Sequence, residues 1–547
     1  MLIRVKNFSG VMPTINPTEL PGNAAQVSTN CVFWSMDVAP LAGFGPAVAT
    51  LDKPGTVLSL YRFGQDVSGD SNYWFHWTTD VDVVRGMVFG DTTEKTYFTG
   101  DGAYPKYTDN TVALGGSQYP SVSYRLGVPV PTSAPTLSSI TGAVSGTASA
   151  ISVVWTYVDD NSWEGAPSPA LAINEVYQGQ TVSLSGFEGV VAGYRMSSAS
   201  YCRVYVSDTN GAFRYVGRTS TLGIGATFSF VYNADAITSG DLISTTFDPP
   251  PATLKGLTGL HNGMVAGFTG IDVYICEAYK PWAWSTDYVI TAEHPVVALS
   301  AFDQTLVILT KGLPIVAPGS DPSSFTPLPL KGFRQACVSK RSVVQIAGGV
   351  MYACPDGMAF ISAAGQQVVT SGGFARAEWQ ALKPESIVGF RAEDRYVGFF
   401  DTGTRKGAFL LDMGTPQQPF TFIDFHATAG YNDLLNDGLY LVQTGTSQVK
   451  RLFGGSPLRY TWRSKKFKLA SPACLNWARV LCTSPVGLTL RVWGDGELVD
   501  EIEVEDERPF RLSTQDRYRT YEFEITGTTA VTEVSLASTA GELTANG

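Results

Sequence analysis

The residues able to do chemistry are few and scattered. Only four histidines occur, His76, His261, His294 and His426, and none stands at a metal-ligand spacing from another histidine or from a cysteine. His76 lies between Phe75 and Trp77, the setting of a packed strand residue. There is no nucleophile elbow, phosphate loop or dinucleotide fingerprint, so acyl transfer, nucleotide hydrolysis and hydride transfer have no starting point. Glycoside hydrolysis is the remaining enzymatic route, because it asks only for two carboxylates about 5–9 Å apart in a cleft. Asp159, Asp160 and Glu164 are its nearest candidates, but they share a turn, where solvated acids are the plainer expectation. No catalytic residue, cofactor or metal is expected.

Three other clusters suit binding. In Glu277-Ala278-Tyr279-Lys280-Pro281-Trp282-Ala283-Trp284, the aromatics Tyr279, Trp282 and Trp284 either fill the space between sheets, with Pro281 fixing the turn, or meet a sugar or a partner chain. Trp462 and Arg463, followed by Lys465 and Lys466, either pack at a subunit interface, where arginine and aromatics are enriched, or begin a solvated edge strand. The stretch from Glu497 to Glu507 carries Asp500, Glu501, Glu503, Glu505, Asp506 and Glu507. Such acids protect an edge strand from stray pairing. As channel lining, Glu503, Glu505 and Asp506 would instead repel nucleic acid, a force that salt screens over about 8 Å.

The elements that must carry these groups are strands. Period-two apolar runs recur along the chain, and helical patterns of any length are almost absent. The clearest hairpin joins Cys202–Ser207 to Ala212–Val216 through Asn210-Gly211, which supplies the positive φ angles of a tight turn. Asp101-Gly102, Asp356-Gly357, Asp437-Gly438 and Asp495-Gly496 punctuate similar pairs. From Gly263 to Asp412 the strand pairs recur in groups of about 40–50 residues, the size of a propeller blade. They include Gly263–Phe268 with Val273–Cys276, Leu306–Thr310 with Ile315-Val316, Val350–Ala353 with Met358–Ser362, and Tyr396–Asp401 with Gly407–Asp412.

A different texture interrupts this pattern. After Pro131 come Ser/Thr/Ala/Gly-rich residues, the strand Val153–Val158, the acidic turn and the Asn-Gly hairpin, in the order of a β-sandwich of about 100–120 residues. The stretch ends at Asp248-Pro249-Pro250-Pro251, a stiff hinge. The expected organisation is all-β: residues 1–132 as the first part of a propeller platform, 133–250 as an inserted β-sandwich, 251–460 as the remaining blades, and 461–547 as a C-terminal β-region closing the platform.

Composition narrows the class. The 547 residues are 44% hydrophobic, 12% aromatic and only 16% charged, where ordinary domains carry about 25% charge, which points to an assembly subunit. A net charge of −11 and the lack of a basic cluster longer than Arg463-Ser464-Lys465-Lys466 disfavour a grip on DNA, yet suit a surface along which DNA must slide. No run of 18 apolar residues occurs, so stable membrane insertion is not expected, and Met1–Gly10 fits neither a signal peptide nor an anchor. Seven cysteines without a CxxC pair read as reduced core residues of a protein folded in a cytoplasm.

Four blocks resemble tail tubular and nozzle proteins of short-tailed bacteriophages. The first runs from Asn16 to Gln26 (NPTELPGNAAQ), with Asn30-Cys31 and Pro40-Leu41. The second is Leu257–Gly263, Ala266–Phe268 and Glu277–Trp284; the third is Leu306–Thr310 with Gly312–Pro314 and Pro355–Met358; the fourth is Tyr460–Phe467. Residues 133–250 resemble a fibronectin type III module of the kind inserted in phage proteins. The resemblance implies a virion protein made in the bacterial cytoplasm, a hexameric ring of identical chains distal to a tail adaptor protein. Other tail proteins such as fibres attach to it, and phage DNA crosses it only in transit. Two alternatives stay open from the residues: a receptor-binding adhesin and, behind it, a polysaccharide depolymerase.

Overall fold

Short apolar runs between tight turns cannot bury themselves alone, and in the computed structural model they form small antiparallel sheets stacked face to face. The structure describes all residues except 65–72, 89, 208–210, 224, 235–239, 414–419 and 545–547. Asn210 lies outside the described residues, while the strands of its hairpin, Tyr201–Ser207 and Phe213–Arg218, pair antiparallel.

Seven sheets follow one another as blades. Blade 1 is Ser59–Phe63 with Tyr73–Trp77. Blade 2 runs through Asp82–Arg85, Thr96–Thr99, Lys106–Thr108 and Tyr124–Arg125. Blade 3 is built on Lys255–Gly259, Val265–Thr269, Asp272–Glu277 and Lys280–Trp284. Blade 4 spans Val296–Phe302 to Leu328–Pro329, and blade 5 spans Val344–Ile346 to Gly365–Val368. Blade 6 covers Val388–Ala392 to Phe420–Ile423, and blade 7 starts with Ala427–Asp433, Gly438–Gln443 and Gln448–Arg451. The strand pairs noted from the sequence between Gly263 and Asp412 are the second and third strands of blades 3 to 6.

Hydrophobic clusters join the blades all the way round. Phe63 of blade 1 shares a cluster with Phe98 of blade 2, and Tyr97 of blade 2 shares one with Val265 of blade 3 and Ile308 of blade 4. Val307 of blade 4 joins Val350 of blade 5, Met351 joins Phe409 of blade 6, and Val397 joins Leu441 of blade 7. Val442 of blade 7 returns to Leu60 and Trp74 of blade 1. Sheets packed each on the next, and the last on the first, make a β-propeller. Its closure is a strand exchange: Ala47–Thr50 completes blade 7 by pairing with Gln448–Arg451, just before the chain enters blade 1.

The expectation that all of residues 1–132 serve the platform needs correction. Leu2–Val5 pairs with Val531–Ala537, and Val27–Thr29 lies between Phe420–Ile423 of blade 6 and Tyr460–Arg463. The N-terminal segment therefore belongs with the C-terminal sheets, because its apolar residues Ile3, Val5 and Phe8 find their core there with Trp462, Val534 and Leu536. Gly10 permits the fit: a Cβ at this position would lie 2.2 Å from the Phe420 carbonyl oxygen.

Between blades 2 and 3 the chain leaves the ring and builds two sheets. One has the strand order Thr136–Thr141, Thr181–Ser185, Phe228–Val231; the other has Leu171–Val176, Ser149–Val158, Tyr201–Ser207, Phe213–Arg218. Val182, Leu184 and Phe230 of the first and Val153, Trp155 and Val204 of the second are buried in one cluster. The seven cysteines are unpaired and all but Cys474 are buried; burial pushes the Cys31 and Cys276 thiols up to about 12, which leaves them protonated and inert. No helix among the described residues is long and apolar enough to cross a membrane.

Candidate functional site

In a propeller the first strands converge on an axis, and ligands are commonly sought there. Here the axis is crossed by two basic side chains from the short turn Lys340–Ser342, which precedes blade 5. Lys340 Nζ lies 3.0 Å from Asp80 Oδ2 and 2.7 Å from Asp82 Oδ2, at the start of blade 2. Arg341 Nη2 donates to the Leu58 and Thr428 carbonyl oxygens, both at 2.6 Å, at the starts of blades 1 and 7. In a ring of seven, blades 1 and 2 lie opposite blade 5, so these contacts span the centre and plug it. Burial alone would lower the Lys340 pKa, but the Asp82 and Asp80 carboxylates outweigh it and raise it, so the plug is charged at neutral pH.

A second ionic tie closes the ring between its first and last blades. The Arg62 guanidinium of blade 1 pairs with Asp433 of blade 7, whose side chain is wholly buried. Asp433 also accepts from Leu435 N at 3.1 Å and Asn436 Nδ2 at 2.8 Å, which satisfies the carboxylate where no water reaches. Near the axis, a cavity of about 450 Å³ lies among blades 5, 6 and 7, lined by Gln345, Ala347, Gly389, Arg391, Asn432 and Leu434 among others. Arg391 is the sole ionisable side chain of its lining, and it is held by the Glu393 carbonyl at 2.7 Å and Asp394 at 3.5 Å. No pair of carboxylates converges there, and among the described residues no group of three His, Cys, Asp or Glu is placed to hold a metal.

The acidic turn is not solvated, as the sequence suggested, but structural. Asp159 is buried and accepts from the Asn161 and Trp163 backbone N–H groups, both at 2.8 Å. Burial raises its carboxyl to about 6, with those hydrogen bonds pulling the other way. Asp160 accepts from the Ser197 and Ser200 hydroxyls, and Glu164 from Thr156 Oγ1, Tyr205 Oη and Arg203. Each carboxylate thus faces its own set of donors. His76 is buried in its strand, where Nδ1 lies 3.1 Å from the Trp74 carbonyl and Nε2 accepts from Lys53 N at 3.2 Å.

Of the five aromatic and basic residues considered for a subunit interface, four are committed inside the chain. Trp284 is buried with Nε1 donating to the Pro281 carbonyl at 2.8 Å. Trp282 stacks on Trp163 of the inserted module, centroids 4.8 Å apart, and Nε1 donates to the Glu164 carbonyl at 3.2 Å. Trp462 is buried against Phe8, and Nε1 donates to the Ser9 carbonyl at 3.0 Å. Arg463 pairs with Glu522 at 3.1 Å and lies 4.3 Å over the Trp493 ring. Trp284 and Trp462 are buried within the chain, while Trp282 and Arg463 keep part of their surface exposed. Tyr279 alone is exposed, at the turn between the last two strands of blade 3.

Glu503, Glu505 and Asp506 are exposed. The strand Glu497–Glu503 ends its sheet, with only Thr489–Gly494 beside it among the described residues, so its acids sit on an edge. Sequence reasoning missed Lys340, Arg341 and the Arg62–Asp433 pair. A basic dipeptide beside a serine turn carries no local sign that its partners lie in opposite blades.

The sequence matches no family model and no curated protein. Solved structures that are similar include BamB from Moraxella catarrhalis, at 10% identity over 64% of this chain and 99% of that one, with a TM-score of 0.26. The Cps50 (Swd1) β-propeller domain of Myceliophteria thermophila aligns at 10% identity over 60% of this chain and 92% of its own, with a TM-score of 0.23. Virginiamycin B lyase from Staphylococcus aureus aligns at 8% identity over 68% and 99%, with a TM-score of 0.27. The blades and their closure rest on the chain's own strand pairing.

Proposed function

We propose that this chain is a structural subunit of a bacteriophage tail, of the nozzle or tail tubular type, and works as a rigid scaffold without enzymatic activity. The observation that carries this reading is the occupied axis. Where a propeller enzyme needs an open funnel, Lys340 and Arg341 bridge opposite blades with Asp80 and Asp82 engaged by Lys340, and the cavity among blades 5 to 7 is lined by one ionisable side chain, already held. The charged groups of the interior tie the body together.

The resembling blocks support the same reading by where they meet. Gln26, at the end of the first block, donates to the Ser464 carbonyl at 2.6 Å and to Glu522 at 2.8 Å, and Lys465 of the fourth block donates to the Leu20 carbonyl at 2.6 Å. The opposite ends of the sequence thus make one joint beside blade 6. With its own axis plugged, the subunit would border a DNA passage through its outer surface, in a closed ring with its copies beneath a tail adaptor. An acidic, weakly charged surface lets DNA pass without adhering. The inserted module, read as a fibronectin type III-like sandwich, would decorate or extend that ring.

Mass spectrometry of purified virions tests the proposal. The chain is expected in amounts stoichiometric with other tail proteins, and electron microscopy should place it on the tail axis. Its presence in infected-cell lysate alone, with none in particles, would overturn the reading. Incubation with host capsule should release no new reducing ends.

A further inference from the structure

The three-stranded sheet of the inserted module is poor in charge. No charged residue occurs from Leu126 to Val158, from Val176 to Phe187, or from Thr219 to Ala234, and its three strands fall within these stretches. Both outer strands, Thr136–Thr141 and Phe228–Val231, end the sheet, and among the described residues neither pairs with a further strand. The outward face is a hydroxyl ladder: Ser183 and Ser229 Oγ lie 2.9 Å apart, and Ser138 Oγ donates to Ser185 Oγ at 2.7 Å. Apolar side chains stand exposed at both edges, Leu137 at 37% and Val231 at 61%. Charge is the usual guard on an open edge, as on Glu497–Glu503 of this same chain, and here it is missing.

We infer that neighbouring copies of this chain join edge to edge through this sheet, Thr136–Thr141 of one copy lying alongside Phe228–Val231 of the next. The inference rests on the ring reading above and names its contact. Charge selects the occupant. A chain of net charge −11 repels its own kind over much of its surface, and at this sheet copies approach without that penalty. A basic protein would be drawn to the acidic faces instead, and a nucleic acid would need cations that this sheet lacks. Direction selects the order. Thr136–Thr141 and Phe228–Val231 both run antiparallel to Thr181–Ser185, so they run the same way. Copies related by rotation then present unlike edges to one another, and a closed ring leaves no edge open.

The experiment uses the full chain. Ser139 and Ser229 both neighbour Ser183 from opposite sides. Within one copy they are therefore two strand spacings apart, about 9–10 Å, too far for a disulfide. Oxidation of the double variant Ser139→Cys/Ser229→Cys is expected to give a ladder of covalent oligomers beyond the wild-type control, and neither single variant should do so. In light scattering, Ser139→Glu/Thr141→Glu should reduce the assembled fraction roughly tenfold or more, with an unchanged circular dichroism spectrum. If the charged variant assembles like wild type and no ladder forms, the contact is overturned, while the chain's presence in virions and its place on the tail axis would still uphold the tail reading. A ladder limited to dimers in Ser139→Cys alone would overturn the proposed order in favour of like-edge pairing. A wild-type chain that never associates would overturn the contact outright.

Discussion

Blade 7 takes its fourth strand from Ala47–Thr50 and the other three from Ala427–Arg451, whereas the inserted module draws all its strands from Thr136 to Val231. The ring is held by ties between distant segments: the strand closure, the Arg62–Asp433 pair and the Lys340–Arg341 plug. The module's strands are near neighbours in sequence, but their core runs on into blades 2 to 4 as one cluster, and the Trp163–Trp282 stack, the Arg195–Asp109 pair and the Asn161–Tyr107 hydrogen bond tie it to the ring. Non-local ties are costly to form and, once formed, fail together, while local contacts persist when the rest opens. The two regions should therefore unfold in separate transitions, coupled through the core that they share.

The largest expected effect breaks the ring alone. Arg62→Met leaves the Asp433 carboxylate buried without its cation, and should destabilise the propeller by about 3–5 kcal/mol. Calorimetry should show one transition moving down while the module's transition stays. Replacing both partners, Arg62→Met with Asp433→Leu, should recover part of the loss, and no recovery would show that the pair matters through shape instead of charge.

The next effect belongs to the module and depends on pH. Burial holds the Asp159 carboxyl at about 6, above its unfolded value near 3.8, so its folded state binds a proton more readily. The stability linked to this proton is fully present below the unfolded value and is lost as pH rises through about 6. The difference amounts to at most about 3 kcal/mol. Asp159→Asn keeps an acceptor for the Asn161 and Trp163 N–H groups and should flatten that slope in the module's transition only.

Trp282→Ala should act on the link between the regions. Loss of a stacked, half-buried indole and its hydrogen bond should cost about 2 kcal/mol and pull the two transitions further apart. If both transitions fell together, the regions would form one cooperative unit and the comparison would fail. The smallest effect is expected at the acidic edge. Glu501→Gln with Glu503→Gln should change stability by less than about 0.5 kcal/mol, because both side chains are exposed. It should nevertheless speed aggregation at high protein concentration, measured by turbidity, since it removes the guard that the module's edges lack.

Much of the ring was legible because a strand's face and a turn's φ angles are local properties. Asp437-Gly438 and Asp495-Gly496 each connect paired strands, with Asp437 at φ 42° and Asp495 at φ 48°, as such dipeptides favour. The hairpins of blades 3 to 6 followed from apolar runs alone, since their two strands are neighbours in sequence. The aromatic segment at Trp282 showed that large rings had to be buried, but not that Trp163 would cover one of them.

Sequence alone determined the all-β class, the blade-sized repeat, the reduced cysteines and the change of texture after Pro131, for each depends on the alternation and composition of adjacent residues. Tertiary structure decided the rest. Only the closed ring brings Lys340 to Asp82, Arg62 to Asp433, and Val27–Thr29 between blade 6 and Tyr460–Arg463. The physical reason is distance: a charge or an edge strand finds its partner through the folded geometry of hundreds of intervening residues, and no spacing along the chain encodes that meeting.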